Sequence, residues 1–353
     1  MKISKNYNLS KLNTFGIDVE AKFFVEINNE TDLRELFVSS EFKQNKKIFL
    51  GGGSNVLFTK NFDGIIVLNK LKGIEILKKN SNEDSETISV RAMGGEIWHN
   101  LVMFAVNNEY WGIENLSFIP GTVGATPIQN IGAYGVEIKD VLENVEAFNI
   151  ETGVKKIFSK EECELGYRDS VFKNKLKDKY FISSITLRLS KKEKKNIDYK
   201  ILQDYLEKNK IEVKSSKDIS DAVMSIRQSK LPNPKILGNA GSFFKNVFIP
   251  ARNASRSETG GEKGKLEELL ALYPTMPYFI EDSLIKIPAG WLIEQCGWKG
   301  YRTGNVGVHE KQALVLVNYG GAKGAEIVEF ANKIIVSVKE KFGLELTPEV
   351  NIV

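Results

Sequence analysis

The sequence predicts an α+β protein, with strands and helices mixed along its whole length. Three observations carry that expectation. Short β-rich runs recur, among them FFVEI at 23–27, TISVRAM at 87–93 and YFISSITLRL at 180–189. Segments with apolar residues at helical spacing lie between and after them. Glycine-heavy loops separate the two kinds, and no internal repeat imposes a period. At 353 residues the chain exceeds what one core usually serves, so two or three domains are expected.

Taken in order, 23–27 is the first expected strand. Thr31 is placed to cap a short helix in which Leu33, Leu36 and Phe37 share a face. KIFL at 47–50 is strand-like and runs straight into Gly51-Gly52-Gly53-Ser54-Asn55, with further strands at 56–58 and 65–68. Strand, glycine turn and strand do not make the dinucleotide fingerprint, which needs a helix after the turn. Alternation at 87–93 gives another strand. A helix follows over 96–108, with Trp98, Leu101, Val102 and Ala105 on one face. Residues 144–159 read as a hairpin around Glu151-Thr152-Gly153. The last long strand is expected at 180–189, and KKEKK at 191–195 reads as a solvated loop. Residues 215–226 are helix-like, and the polar stretch 251–265 reads as a loop or insertion. Leu266, Leu269, Leu270 and Tyr273 mark a helix that stops before Pro274. Ile327, Phe330, Ala331, Ile334, Ile335 and Val338 mark a final one, stopped by Gly343.

Bulk composition excludes several classes. The net charge of +4 comes from scattered residues, which argues against nucleic acid as a partner. Two cysteines fit a reducing compartment rather than a disulfide framework. Two histidines far apart in sequence give no zinc signature, so no metal site is expected. No run approaches the roughly 20 apolar residues of a membrane helix. The N-terminus lacks the apolar core of a signal peptide. A cytoplasmic protein that does not bind membranes is expected.

Four segments combine special backbone with reactive side chains. The most informative is NLSFIPGTVGATPIQNIGAYGV at 115–136, which carries no charge in a chain that is 27% charged. Gly121, Gly124, Gly132 and Gly135, with Pro120 and Pro127, break it too often for a helix, and it is too apolar for a solvated loop. Glycine lets a ligand approach the main chain, and successive N–H groups hold a phosphate without any lysine. The competing reading is a buried crossover packed only against its own protein. LGGGSNVL at 50–57 offers a second such loop, or simply a tight turn between strands. In Gly166-Tyr167-Arg168-Asp169-Ser170 the arginine is either a cation aimed at a carboxylate or half of a surface salt bridge. Lys230-Leu231-Pro232-Asn233-Pro234 runs on to GNAGSFFKN at 238–246, where Ser242 is mounted among glycines and phenylalanines. It is a hydroxyl set for chemistry or a structural serine at the start of an element. No GxSxG elbow is present, which argues against a hydrolase nucleophile. His99 beside Trp98 reads as a structural or surface residue, and Cys163 and Cys296, in apolar surroundings, read as inert. His309, after GYRTGNVGV, is open between a structural and a ligand-adjacent role.

Together these segments resemble the flavin-dependent UDP-N-acetylenolpyruvoylglucosamine reductases of bacterial peptidoglycan synthesis. The matching motifs are NTFGI at 13–17, LGGGSN at 50–55, IPGTVGATPIQNIGAYG at 119–135, YRDSVFK at 167–173, LPNPKILGNAGSFFKN at 231–246, PAGWLIEQCGWKG at 288–300 and PEV at 348–350. Each is weak alone; their order and spacing over the whole chain are specific. Tyr199, in NIDYK, resembles the substrate-covering tyrosine of the longer of the family's two types.

The resemblance implies the FAD-binding fold of the vanillyl-alcohol-oxidase class in two N-terminal domains, plus a C-terminal α+β substrate-binding domain. The implied limits are 1–72, joined by the returning segment 343–353, then 73–226 and 227–342. FAD would be held by Leu50, Gly51, Gly52, Gly53, Ser54 and Asn55, and by Pro120, Gly121, Thr122, Gly124, Ala125, Gln129, Asn130, Gly132, Ala133 and Tyr134. NADPH would reduce the flavin and give way to UDP-N-acetylglucosamine enolpyruvate. Flavin N5 would then pass hydride to the terminal enolpyruvyl carbon. Negative charge building beside the carboxylate calls for preset donors, each typically worth roughly 3–4 kcal/mol. Arg168 and Glu349 match the family's residues for that task, the glutamate as a donor that needs its proton, so a raised pKa is expected there. Ser242 matches the proton donor to carbon. Tyr199, Lys230, Asn246 and Gln295 match substrate contacts, Lys230 facing the diphosphate as a point charge. The family commonly has an arginine two residues after the glutamate, where this chain has Asn351. A monomer is expected. The alternatives are another FAD-dependent oxidase or dehydrogenase of the same fold, and a non-catalytic nucleotide-sugar binding protein.

Overall fold

The computed structural model describes residues 1–77, 86–251, 264–281 and 283–353. They divide into two units. One comprises Met1–Asn13, Val19–Ser54 and Asn61–Lys230, the other Thr14–Asp18, Asn55–Lys60 and Leu231–Val353. The chain mixes strands and helices throughout, in agreement with the α+β expectation.

The first unit contains two sheets. The four-stranded one runs Ile3–Asn8, Glu20–Ile27, Phe62–Asn69, Lys46–Leu50 in spatial order. Its first pair is antiparallel and the other two are parallel. Parallel strands need a crossover, and the helices Glu30–Val38 and Ser40–Gln44 lie on the one that leads from Glu20–Ile27 to Lys46–Leu50. Phe62–Asn69 has a partner on each side, and its residues from Gly64 onward are all buried. That explains its continuous apolar run, GIIVL. Leu33, Leu36, Phe37 and Phe42 pack onto Val25, Ile27, Ile65 and Val67. The expected cap at Thr31 is corrected: the helix starts at Glu30, and the extended Asn29 caps it, its side chain accepting from Asp32 N at 2.9 Å. Asparagine caps better than threonine, which settles the one-turn ambiguity of N-E-T-D.

The second sheet is antiparallel throughout, in the order Lys155–Ser159, Leu142–Asn149, Tyr180–Ser190, Thr87–Met93, Ile74–Leu77. The expected hairpin turns where Gly153, at φ +70°, donates to the Asn149 carbonyl at 2.8 Å. Helix Trp98–Asn107 buries the face read from the sequence, and the Trp98 indole donates to the Leu116 carbonyl at 2.9 Å. Ser216–Lys230 is a helix somewhat longer than the 215–226 expected. Strand Ile3–Asn8 and helix Lys200–Lys208 were not anticipated. The basic run 191–195 lies outside regular structure, as read.

In the second unit, Val247–Pro250, Leu284–Ile287 and Phe279–Glu281 form one small sheet. Arg302–Thr303, Val306–Val308 and Leu316–Asn318 form another. Asn351–Ile352 pairs in parallel with Val56–Leu57. The final helix, Gly324–Phe342, buries the expected face except for the half-buried Ile335, and stops at Gly343, at φ +64°, whose N–H caps the Lys339 carbonyl. Gly324 is required there, since a Cβ would sit 1.8 Å from the Phe58 carbonyl oxygen. Helix Lys265–Leu272 matches its apolar spacing. The remaining part of the expected insertion, 252–263, lies outside the described residues. Among the described residues no helix is long and apolar enough to cross a membrane, and no cluster of His, Cys, Asp and Glu could hold a metal ion.

Candidate active site

In the first unit the two neutral glycine loops meet. A Cβ on Gly51 would fall 2.2 Å from Thr122 Oγ1 and 3.7 Å from Ala125 Cβ, and one on Gly52 would fall 2.8 Å from Gly121 Cα. Gly53, at φ +62°, approaches the Leu12 carbonyl closely. Part of the glycine content therefore serves backbone-to-backbone packing within the protein. The second loop is pinned from behind. Val123 and Gly124 donate to the carbonyls of Glu96 and Gly94 at 2.9 and 2.8 Å, and Trp98 donates to that of Gly121 at 3.1 Å. Pro120 is exposed, Thr122 and Gly124 are buried. The buried Thr122 hydroxyl has no partner, and an orphaned polar atom in a neutral cradle points to a ligand.

Gly132–Ala133 and Val136–Glu137 form a miniature hairpin, turned by Tyr134 and Gly135 at φ +49° and +82°. Two positive φ values in a two-residue loop are the requirement of a type I′ turn. Tyrosine is an unusual occupant. Asn130 at φ +43° and Arg168 at φ +52° are also left-handed. Such conformations cost energy and persist where surroundings enforce them, often at functional sites. For Asn130 those surroundings are complete. It is fully buried, donates to Glu137 and to the Gly166 carbonyl at 2.9 and 2.8 Å, and accepts from Lys139 N at 3.1 Å.

The Arg168 guanidinium reaches back to the same segment, donating to the carbonyls of Gly132 at 2.8 Å and Asn130 at 3.4 Å. A Cβ on Gly132 would lie 3.1 Å from Arg168 Nη1, so glycine makes room for it. Asp169 takes no part in that grip and accepts from Asn174. Ser170 Oγ donates to the Ile128 carbonyl at 2.6 Å and fastens the two motifs together. Tyr199 joins this group through an edge contact with Tyr134, centroids 5.6 Å apart. Lys230 ends the helix Ser216–Lys230. One turn earlier stands Arg227, which sequence reading missed. Its Nε donates to the Phe118 carbonyl at 3.2 Å, and it also hydrogen-bonds Tyr134. Burial pulls its pKa below the usual arginine value, the Arg168 charge acts the same way, and Tyr134 opposes both. Burial likewise raises the Tyr134 phenol.

In the second unit the segment carrying Ser242 lies between two others. Ser242 bridges to Val315, Phe243 N donates to the Leu314 carbonyl, and Phe244 bridges to Pro348. Glu349 N donates to the Phe243 carbonyl at 2.7 Å, so Ser242 and Glu349 stand on adjacent backbone. Phe243 and Phe244, both buried, provide the rigid mount. Asn55 belongs here, donating to the Glu349 carbonyl at 3.3 Å. Asn351 donates to the Asn55 carbonyl from both its main chain, at 3.2 Å, and its side chain, at 3.0 Å. Asn246 accepts from Ala289 N at the start of helix Ala289–Gln295, which Gln295 ends, exposed. Asn246 and Gln295 thus mark opposite ends of one helix, a rise of roughly 10 Å. Arg168, Tyr199 and Lys230 belong to the first unit; Ser242, Asn246, Gln295 and Glu349 belong to the second.

Cys163 and His99, and His309 whose reading was open, are held locally. Burial, with Glu162 and Glu161 nearby, pushes the Cys163 thiol up to about 12, which makes it inert. His99 Nδ1 accepts from Phe118 N at 3.2 Å. His309 Nδ1 accepts from Lys311 N at 3.3 Å.

Residues 21–156 match the family model described as an FAD binding domain. Residues 233–353 match the C-terminal domain of UDP-N-acetylenolpyruvoylglucosamine reductase. Relatives bearing that reductase's name include one from Flavobacterium johnsoniae, 44% identical over 355 residues, and one from Amoebophilus asiaticus, 46% identical over 354 residues. Each alignment covers 100% of this chain and 100% of the relative. The crystal structure of UDP-N-acetylenolpyruvylglucosamine reductase from Thermus caldophilus aligns with a TM-score of 0.62 at 21% identity, over 99% of this chain and 98% of that one, a likeness of fold. The neutral cradle at 50–54 and 120–125, with its unpartnered Thr122 hydroxyl, fits the dinucleotide that an FAD-binding domain takes.

Proposed function

The chain belongs to the UDP-N-acetylenolpyruvoylglucosamine reductase family, and we propose that it reduces the enolpyruvyl ether of UDP-N-acetylglucosamine to the lactyl ether, forming UDP-N-acetylmuramate for peptidoglycan in the cytoplasm. The observation that carries this reading is the placement of Ser242 and Glu349 on adjacent backbone, within the part of the chain that matches the reductase's C-terminal domain. A flavoprotein with a different substrate would have no use for that pair.

The chemistry FAD supplies when bound is two-electron transfer, from NADPH to the enolpyruvyl double bond. Leu50 to Ser54, with Asn55, and the loop from Pro120 to Tyr134 would hold it, chiefly through main-chain groups and the Thr122 hydroxyl. Arg168 engages the substrate carboxylate, and its bond to Gly132 fixes the direction of the guanidinium. Glu349 would serve the substrate as a hydrogen-bond donor, a role that requires its proton. Charge that builds on the substrate as the terminal carbon gains hydride calls for such preset donors. Ser242 Oγ gives its proton to the neighbouring carbon, which completes the saturated lactyl ether. A serine serves because that carbon is strongly basic for a moment, so position outweighs pKa. Tyr199, Lys230, Asn246 and Gln295 bind the rest of the substrate, Lys230 at the diphosphate. In the same reading, 1–72 with 343–353 and 73–226 bind FAD, and 227–342 binds the nucleotide sugar.

The test is product analysis of the FAD-loaded enzyme with NADPH and UDP-N-acetylglucosamine enolpyruvate. The expected product is the substrate plus two hydrogens, formed one for one with NADPH consumed. NADPH oxidation that leaves the sugar nucleotide unaltered would overturn the proposal.

A further inference from the structure

Asn115 opens the neutral stretch 115–136 but is not among the residues expected to hold FAD or substrate; it is polar and fully buried. Its Nδ2 donates twice, to the Tyr134 carbonyl at 2.9 Å and to the Asn196 carbonyl at 2.8 Å. These acceptors lie 19 and 81 residues away in sequence. One is in the strained turn that carries Tyr134. The other is three residues before Tyr199, whose ring meets Tyr134 edge-on and whose Cβ is 3.8 Å from where a Gly135 Cβ would stand. The side-chain oxygen of Asn115 has no partner, so the amide is placed for its donors alone.

A second observation concerns the preceding residue. Glu114 is 1% exposed, and its carboxylate accepts from Gly112 N at 2.7 Å. Burial raises its pKa, main-chain donors at 112–114 lower it, and the Lys194 charge lowers it further. Lys194 lies two residues before Asn196. Asn196, which Asn115 holds, lies in a short stretch that follows strand Tyr180–Ser190 and precedes helix Lys200–Lys208. No secondary structure holds that stretch. A buried side chain that satisfies otherwise unpaired main-chain carbonyls substitutes for it.

We propose that buried Asn115 anchors the segment leading to Tyr199, which makes it a positioning residue for substrate binding. Asn115 fixes the distance between the Asn196 main chain and the Tyr134 turn, and so fixes where the Tyr199 ring stands. This rests on the reading of Tyr199 as a substrate contact.

The experiment compares FAD-loaded wild type with Asn115→Ala, and with Asn115→Ser, which keeps one donor and guards against a folding failure. Hydrogen exchange at residues 194–199 should quicken about tenfold, the equivalent of one lost net hydrogen bond. KM for UDP-N-acetylglucosamine enolpyruvate should rise about tenfold, while flavin reduction by NADPH stays within about twofold of wild type. Combined with Tyr199→Ala, the Asn115 change should add little to KM. Unchanged exchange at 194–199 in both variants would overturn the anchor. So would a loss of flavin reduction as large as the loss of substrate affinity, which would mark a merely structural residue. Faster exchange with KM unmoved, both here and in Tyr199→Ala alone, would leave the anchor standing and remove Tyr199 from the substrate site.

Discussion

Arg168 shows how much a single residue's setting decides. Its left-handed backbone and its bond to the Gly132 carbonyl aim a planar fork, which lysine cannot reproduce. Arg168→Lys should lower kcat/KM by at least about 100-fold, roughly 3 kcal/mol of lost donor preorganisation, with FAD retained. Wild-type turnover would make the arginine structural. Ser242→Ala should keep FAD and still be reduced by NADPH, yet fail to form product; normal product formation would remove Ser242 from the chemistry. Gly52→Ala puts a methyl group 2.8 Å from Gly121 Cα, and backbone rather than a flexible tip must yield. A loss of roughly 1–3 kcal/mol of stability and weaker FAD retention should follow, read by thermal unfolding and flavin content. His99 contributes to the pH dependence of stability. Burial holds its pKa below the ordinary 6.5, so the folded state favours neutral imidazole while the unfolded state takes up protons. Its stabilisation is present above the unfolded value and is lost as pH falls through the folded one. Thermal unfolding between pH 7 and pH 5 should therefore show a smaller loss in His99→Asn than in wild type.

At the scale of elements, long apolar patterns were legible and weakly marked pieces were not. The helices Trp98–Asn107 and Gly324–Phe342 were readable because their faces are buried against other elements. Helix Lys200–Lys208 escaped because only Leu202 and Leu206 in it are buried. Strand Ile3–Asn8 escaped because it lies at a sheet edge and has no buried residue. The Asn29 cap was hidden in a run of four possible capping and first-turn residues. Asn29→Ala should cost about 1 kcal/mol, measured by denaturant unfolding, and Thr31→Ala much less. The candidate site follows the same logic. Glycine loops and the mount of Ser242 leave local patterns. Arg227 leaves none, and Asn115 only its place at the head of the neutral stretch 115–136, because their partners are hydroxyls and carbonyls far away in sequence.

For the whole molecule, kinship with the reductases runs the full length of the chain, so cofactor and substrate halves come from one continuous resemblance. In place of the arginine common after the family's glutamate, Asn351 ties the tail to the Asn55 carbonyl through two bonds. Local charge is thereby exchanged for main-chain fastening beside Glu349. The central claim is that electrons leave this flavin for the enolpyruvyl group. The measurement that tests it is made without oxygen: the FAD-loaded protein is bleached with NADPH, then mixed rapidly with UDP-N-acetylglucosamine enolpyruvate. Prompt return of the oxidised flavin spectrum, with UDP-N-acetylmuramate formed in equal amount, is the predicted result. A flavin that bleaches and stays reduced in the presence of that substrate would contradict the account.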